Sequence, residues 1–165
     1  MQKPQQPTNT AMACAHAGQL RAAEPVFYPI RGRALYKDGR EMIEYARERG
    51  ISLGEAALEY ESALLDMPKD KLDREMERRL SVMEHAVALG LSDDSPRMSL
   101  LAPTAKDIMA AEAAGKLALG GIHTRAAARA MAAMQVNSGQ GIVCAAPTGG
   151  SAGVLPGVVV TMLDD

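Results

Sequence analysis

The sequence predicts an all-α fold, a compact bundle of about five to six helices with a Gly/Pro-rich loop near the C-terminus. Three observations carry that expectation. Apolar residues recur at helical spacing, with Leu72, Met76, Leu80, Met83 and Val87 separated by four, four, three and four positions. Hydrophobic residues make up 47% of the chain but aromatics only 3%, so the core must be built from Ala, Leu, Val, Ile and Met, three of which are strong helix formers. Helix start and stop signals punctuate the chain, most plainly Gly50 followed by Ser52 and Glu55.

Residues 1–34, rich in Gln, Pro, Thr and Ala without either period, read as a flexible leader ahead of a domain over 35–165. Cys14 and His16 lie in that leader; a C-x-H pair cannot fill a tetrahedral metal site, and neither residue is given a role. GREMIEYARERG over 39–50 sets Met42, Ile43, Tyr45 and Ala46 near one face of a short helix that Gly50 stops. Ser52 and Glu55 form a capping box for a second helix, whose stripe is Ala56, Ala57, Tyr60, Ala63 and Leu64 and which Pro68 closes. The third, from Asp70 to Gly90, is the most strongly amphipathic. Its charged side, with Arg74, Glu75, Glu77, Arg78 and Arg79, reads as a solvated face, and His85 falls on that side.

After a turn at Ser92 to Pro96, Thr104 with Asp107 marks a helix start for TAKDIMAAEAAGKLALGG, broken at Gly120 and Gly121. His123 and Thr124 then open the Ala-rich HTRAAARAMAAMQV, with Arg125 and Arg129 one turn apart. Two such helices can pack closely because their side chains are small.

With 18 basic and 20 acidic side chains, the net charge of −2 supplies no field for nucleic acid or an anionic membrane. No run approaches the roughly 18 apolar residues of a membrane span, and two distant cysteines suit a reducing compartment. The expectation is a soluble cytoplasmic protein.

The loop region NSGQGIVCAAPTGGSAG contains the apolar run Ile142 to Ala146, which reads equally as a short strand or a buried connector. Beyond Pro147, the residues Thr148, Gly149, Gly150 and Ser151 offer two hydroxyls and an unhindered backbone just ahead of VLPGVVVTML. Pro156 is tolerated there if it lies in the first helical turn, where backbone amides lack partners. A helix N-terminus preceded by glycines suits a carboxylate or phosphate. The same residues equally make a tight structural turn. Neither a Walker loop nor a G-x-G-x-x-G fingerprint is present.

The run from Gly120 to Gly157, GGIHTRAAARAMAAMQVNSGQGIVCAAPTGGSAGVLPG, resembles the α domain of the iron–sulfur-dependent L-serine dehydratases around their V-x-A-P-T-x-G-S/A-x-G-V-x-P-G motif. Asn137, Gly141, Val143, Ala146, Pro147, Thr148, Gly150, Ser151, Gly153, Val154, Pro156 and Gly157 match it, and MERRLSVMEHAVALGL also resembles the domain's N-terminal half. The resemblance implies an all-helical domain with a [4Fe-4S] cluster held by three cysteines. It implies conversion of L-serine to pyruvate and ammonia without pyridoxal phosphate, the open iron acting as Lewis acid on the hydroxyl while a base removes the Cα proton. Within that scheme Pro147, Thr148, Gly149, Gly150, Ser151 and Gly153 form the loop that holds the amino acid, with donors from Thr148, Gly150 and Ser151. Asn137 either adds a side-chain amide or serves a turn.

The family's cluster cysteines lie beyond the P-T-x-G motif, in segments resembling C-Q-x-E-V-G, C-D-P-V and P-C that this sequence does not contain. No metal ligand is therefore assigned here, no catalytic base is identified, and Cys144 reads as a small buried hydrophobe. The expected partners are L-serine, the C-terminal half of the α domain, a β domain or subunit, and further copies in a homo-oligomer. The expectation is the N-terminal part of an α domain, inactive by itself. No lysine among Lys37, Lys69, Lys71, Lys106 and Lys116 has the Ser-x-Lys setting of a pyridoxal phosphate enzyme. A cysteine desulfidase-like protein and a non-catalytic helical interaction module are the alternatives.

Overall fold

Local capping chemistry explains most of the helix ends in the computed structural model, which describes residues 30–97, 102–144 and 150–164. Among these residues there are six helices and no strand: α1 (Gly39–Arg49), α2 (Leu53–Leu65), α3 (Lys69–Leu91), α4 (Ala105–Ala113), α5 (Ile122–Ser138) and α6 (Ser151–Asp164). The fold is the all-α bundle expected. Asp38 starts α1 by accepting at Oδ1 from the Arg40 and Glu41 amides at 2.9 and 3.0 Å. Gly50 ends it in the left-handed region, where the Ile51 amide reaches back to the Ala46 carbonyl at 3.0 Å. The capping box of α2 is complete: the Glu55 amide donates to Ser52 Oγ at 3.1 Å, and the Ser52 amide to Glu55 Oε2 at 2.8 Å.

Two helix ends and one cap differ from the sequence expectation, the ends for local reasons and the cap through a residue distant in the chain. α2 ends not at Pro68 but at Asp66, which adopts the left-handed conformation and lets the Met67 amide bond the Ser62 carbonyl. α4 stops at Ala113 rather than running to Gly120, because Gly115 turns left-handed and the Lys116 amide closes on the Ala111 carbonyl at 2.9 Å. At the start of α4, Thr104 makes no side-chain cap. The Ala105 amide donates instead to Gln135 Oε1 of α5 at 3.2 Å.

α5 is the centre of the bundle, packed against α3, α4 and α6, while α3 also touches α6. The shared core is aliphatic: Val87 from α3, Ala133 from α5 and Val160 from α6, with Leu91 against them. The predicted α3 stripe is only partly buried. Leu72, Met83 and Val87 face inward, whereas Met76 is 58% exposed at an open cleft between α2 and α3. Aromatic packing belongs to the α1–α2 unit. Tyr36 stacks 4.5 Å from Tyr60 and 5.7 Å from Tyr45 between ring centres, and its hydroxyl donates to the Ala56 carbonyl.

Close backbone approach replaces bulk in the main core. A Cβ built on Gly157 would lie 2.6 Å from the Ala130 nitrogen and 2.7 Å from the Ala126 carbonyl oxygen. One on Gly153 would collide with Met134 and stand 2.8 Å from the Ala130 carbonyl oxygen. As residue numbers rise along α6 they fall along α5, so the two helices are antiparallel. Gly90 of α3 meets the Ala132 backbone in the same way. Pro156 lies past the first turn of α6, contrary to the sequence expectation, and removes one internal bond; its fully buried ring packs in the core.

Gly157→Ala is expected to destabilise the chain by about 1–3 kcal/mol, overpacking against rigid backbone outweighing the gain in helix propensity. Gly54→Ala, whose Cβ meets nothing closer than Ser52 Oγ at 3.9 Å, should leave stability unchanged or raise it; urea unfolding of the pair measures both. The carboxyl of Glu75 is held down to about 2 by hydrogen bonds from Arg78 and then Arg79. Because its folded value is depressed, this contribution is present above the ordinary carboxylate pKa and fades as pH falls from about 4.5 towards 2. Glu75→Gln should flatten that part of the stability–pH curve.

Candidate functional site

The antiparallel pair brings the last turn of α5 and the first turn of α6 to one end of the bundle. α5 closes there through a left-handed cap: the Gly141 amide donates to the Val136 carbonyl at 2.8 Å and the Gln140 amide to the Asn137 carbonyl at 3.1 Å. The residue that takes the left-handed conformation is Gln140, with φ of 62°, although glycines flank it on both sides. A side chain in this region costs about 1–2 kcal/mol. Gly139 is pressed against Pro96, which fixes the cap on the turn after α3.

Of the residues expected to bind substrate, Asn137, Gly150, Ser151 and Gly153 lie at this end. Asn137 is exposed in the last turn of α5. Gly150 is exposed, and its carbonyl accepts from the Gly153 and Val154 amides, both at 3.3 Å. Ser151 is half-buried and begins α6. Gly153 is buried against α5, so its visible work is packing. Pro147, Thr148 and Gly149 lie outside the described residues, as does Cys14. The run Ile142 to Cys144 forms no strand, and Cys144 is a free, half-buried thiol rather than a buried one.

Two buried polar side chains near this pair have no counterpart in the sequence reading. Gln135 donates from Nε2 to the Gly90 carbonyl and to Ser95 Oγ, each at 3.1 Å, besides accepting from Ala105. Arg129 donates to Thr161 Oγ1 and to Asp164 Oδ2, both at 2.8 Å, tying α5 to the far end of α6. The spacing of Arg125 and Arg129 is plain in the sequence, but only the fold separates their roles. Arg125 donates to Glu112 Oε1 at 2.9 Å, and the same oxygen accepts the Gly121 amide, joining α4 to the start of α5.

The matched family model, serine dehydratase alpha chain, covers residues 48–165. The chain belongs to this family. It is similar to the probable L-serine dehydratase alpha chain of Bacillus subtilis (strain 168), 32% identical over 76% of this chain and 42% of that one. It is also similar to the L-serine dehydratase alpha chain of Peptoniphilus asaccharolyticus, 28% identical over 73% of this chain and 42% of that one. The chain thus spans less than half the length of the curated serine dehydratase relatives it matches. No solved structure matches it.

An iron–sulfur cluster asks for several thiolates around one cavity. This chain has two cysteines in all, only Cys144 among the described residues, where no three His, Cys, Asp or Glu side chains are gathered. That donor set does not fit a cluster. Among the described residues no helix is long and apolar enough to cross a membrane.

Gln140→Gly is expected to stabilise the chain by about 0.5–1 kcal/mol, the relieved left-handed strain less the greater freedom of glycine when unfolded. The same urea titration measures it.

Proposed function

We propose that this chain is the N-terminal part of the alpha chain of an iron–sulfur-dependent L-serine dehydratase and contributes the seat for the substrate's carboxylate. The observation that carries the reading is the antiparallel packing of α5 and α6 through Gly153 and Gly157, which holds the first turn of α6 rigidly beside the exposed Asn137. A helix of this length presents a partial positive charge at its start, and an amino acid's carboxylate is stabilised there. Family membership and the names of the relatives support serine as that amino acid.

In this reading Pro147, Thr148, Gly149, Gly150 and Ser151 wrap the carboxylate, the Thr148 and Ser151 hydroxyls donating to it. Gly153 acts through the packing that fixes the helix start, and Asn137 adds a side-chain amide from α5. The chemistry of dehydration, giving pyruvate and ammonia, comes from serine dehydratase polypeptide outside this chain. That includes the cluster ligands, together with a beta chain as partner in the cytoplasm. The isolated chain binds the substrate weakly and does not turn it over.

Isotope-labelled chain titrated with L-serine is expected to show amide shifts concentrated in residues 137 and 147–154, with no pyruvate formed. Ser151→Ala should weaken the response without changing the helical circular dichroism. Silence at those amides up to high serine, or an equal response to any small anion, would overturn the proposal. Preference for L-cysteine over L-serine would redirect it to a sulfur substrate.

A further inference from the structure

Among the described residues, one helix packs against both members of the antiparallel pair. α3 lies against both α5 and α6, and it takes the flank that carries Ala133 on α5 and Val160 on α6. Ala127 and Met131 on α5 fall about a quarter turn from the Ala126–Ala130 seam towards the opposite flank, as do Val154 and Val158 on α6, with Met162 further round the same side. These α6 residues are exposed to 58%, 46% and 68%. Beside them a groove of about 460 Å³ runs between α4 and α5, lined by Ile108, Leu119, Ala127 and Met131, and Leu119 stands largely in solvent at its edge. The groove is also lined by His123 and Thr124, so the apolar character is strongest along the α6 ridge.

Its composition is that of an interior. α6 carries no ionisable side chain from Ser151 to Leu163, so it is apolar on every face. A helix of this kind belongs inside a larger body, since a face turned to water carries charge. The relatives carry more than half of their alpha chains outside the match, which is the polypeptide available to cover this surface.

We infer that the outer flank of α5 and α6, with the adjoining α4–α5 groove, is the internal docking surface for the portion of the serine dehydratase alpha chain that lies outside this match. The inference rests on the proposed membership of this chain in a longer dehydratase, but not on where serine binds. The segment that covers it is apolar along its contact side. It covers Val158, which is 46% exposed among the described residues.

Thiol accessibility tests this with whole proteins. In this chain carrying Cys14→Ser, Cys144→Ser and Val158→Cys, the new thiol is expected to react with a maleimide nearly as fast as in the unfolded chain. In the intact Bacillus subtilis alpha chain, a cysteine at the position aligned with Val158 should be labelled on the order of a hundredfold more slowly, read peptide by peptide by mass spectrometry, because a buried thiol reacts only through local opening. A second pair at Val154 guards against a local effect of one substitution. Equal rates in both proteins would overturn the inference. So would protection in this chain alone that rises with its concentration, which would identify a second copy as the occupant. Neither readout involves serine, so a failed serine titration leaves this result standing, and the reverse.

Discussion

The contact on which the rest of the structure depends is the meeting of α5 and α6 at backbone distance. Gly153 and Gly157 have no Cβ, and the facing positions on α5 are Ala126 and Ala130. Dispersion falls steeply with separation, so a seam this close recovers in many small contacts what a core without large aromatics forgoes. It also leaves little room for adjustment. Packing fixed by main chain against main chain cannot be relaxed by a rotamer change, which makes the relative position of the two helices a property of sequence at a handful of small residues.

Polar groups in the same region are placed to keep that seam in register. Arg129 is buried, and its guanidinium reaches both the Thr161 hydroxyl and the Asp164 carboxylate. Thr161 in turn donates to the Gly157 carbonyl at 2.7 Å. A buried cation is costly unless its donors are met, and here they are met by the last turns of the partner helix. The charge therefore acts as a stop against sliding along α5, where a row of alanines alone would tolerate several offsets. Among the described residues no buried side-chain nitrogen or oxygen lacks a partner.

Much of this is legible in the sequence. The apolar period of α3, the Ser52–Glu55 box and the Gly50 stop are local signals, and local geometry decides them. The loop motif points to the family through residue identity alone. Expectation fails where a distant residue overrides a local one. Thr104 has the residue type of a cap, yet Gln135 from α5 supplies the acceptor. Gln140, which no local signal marks, takes the left-handed position, while the glycines on either side of it are pressed close to Pro96 and Val136. Met76 continues the helical period but lines an open cleft between α2 and α3 and stays 58% exposed. Of the candidate site, the motif singles out the residues of the loop, while only the antiparallel pairing brings Asn137 to the same end as Ser151.

Gln135 gives the bundle an unusual dependence. Its one amide group holds the carbonyl that ends α3, a hydroxyl in the following turn and the amide that begins α4. α4 has nine residues, too few to persist as an isolated helix. Its start is thus encoded thirty residues further along the chain than its own sequence. The donor at Ala105 is a backbone amide, which any residue but proline would supply, so this helix start depends on the side chain at 135 and hardly on the one at 105.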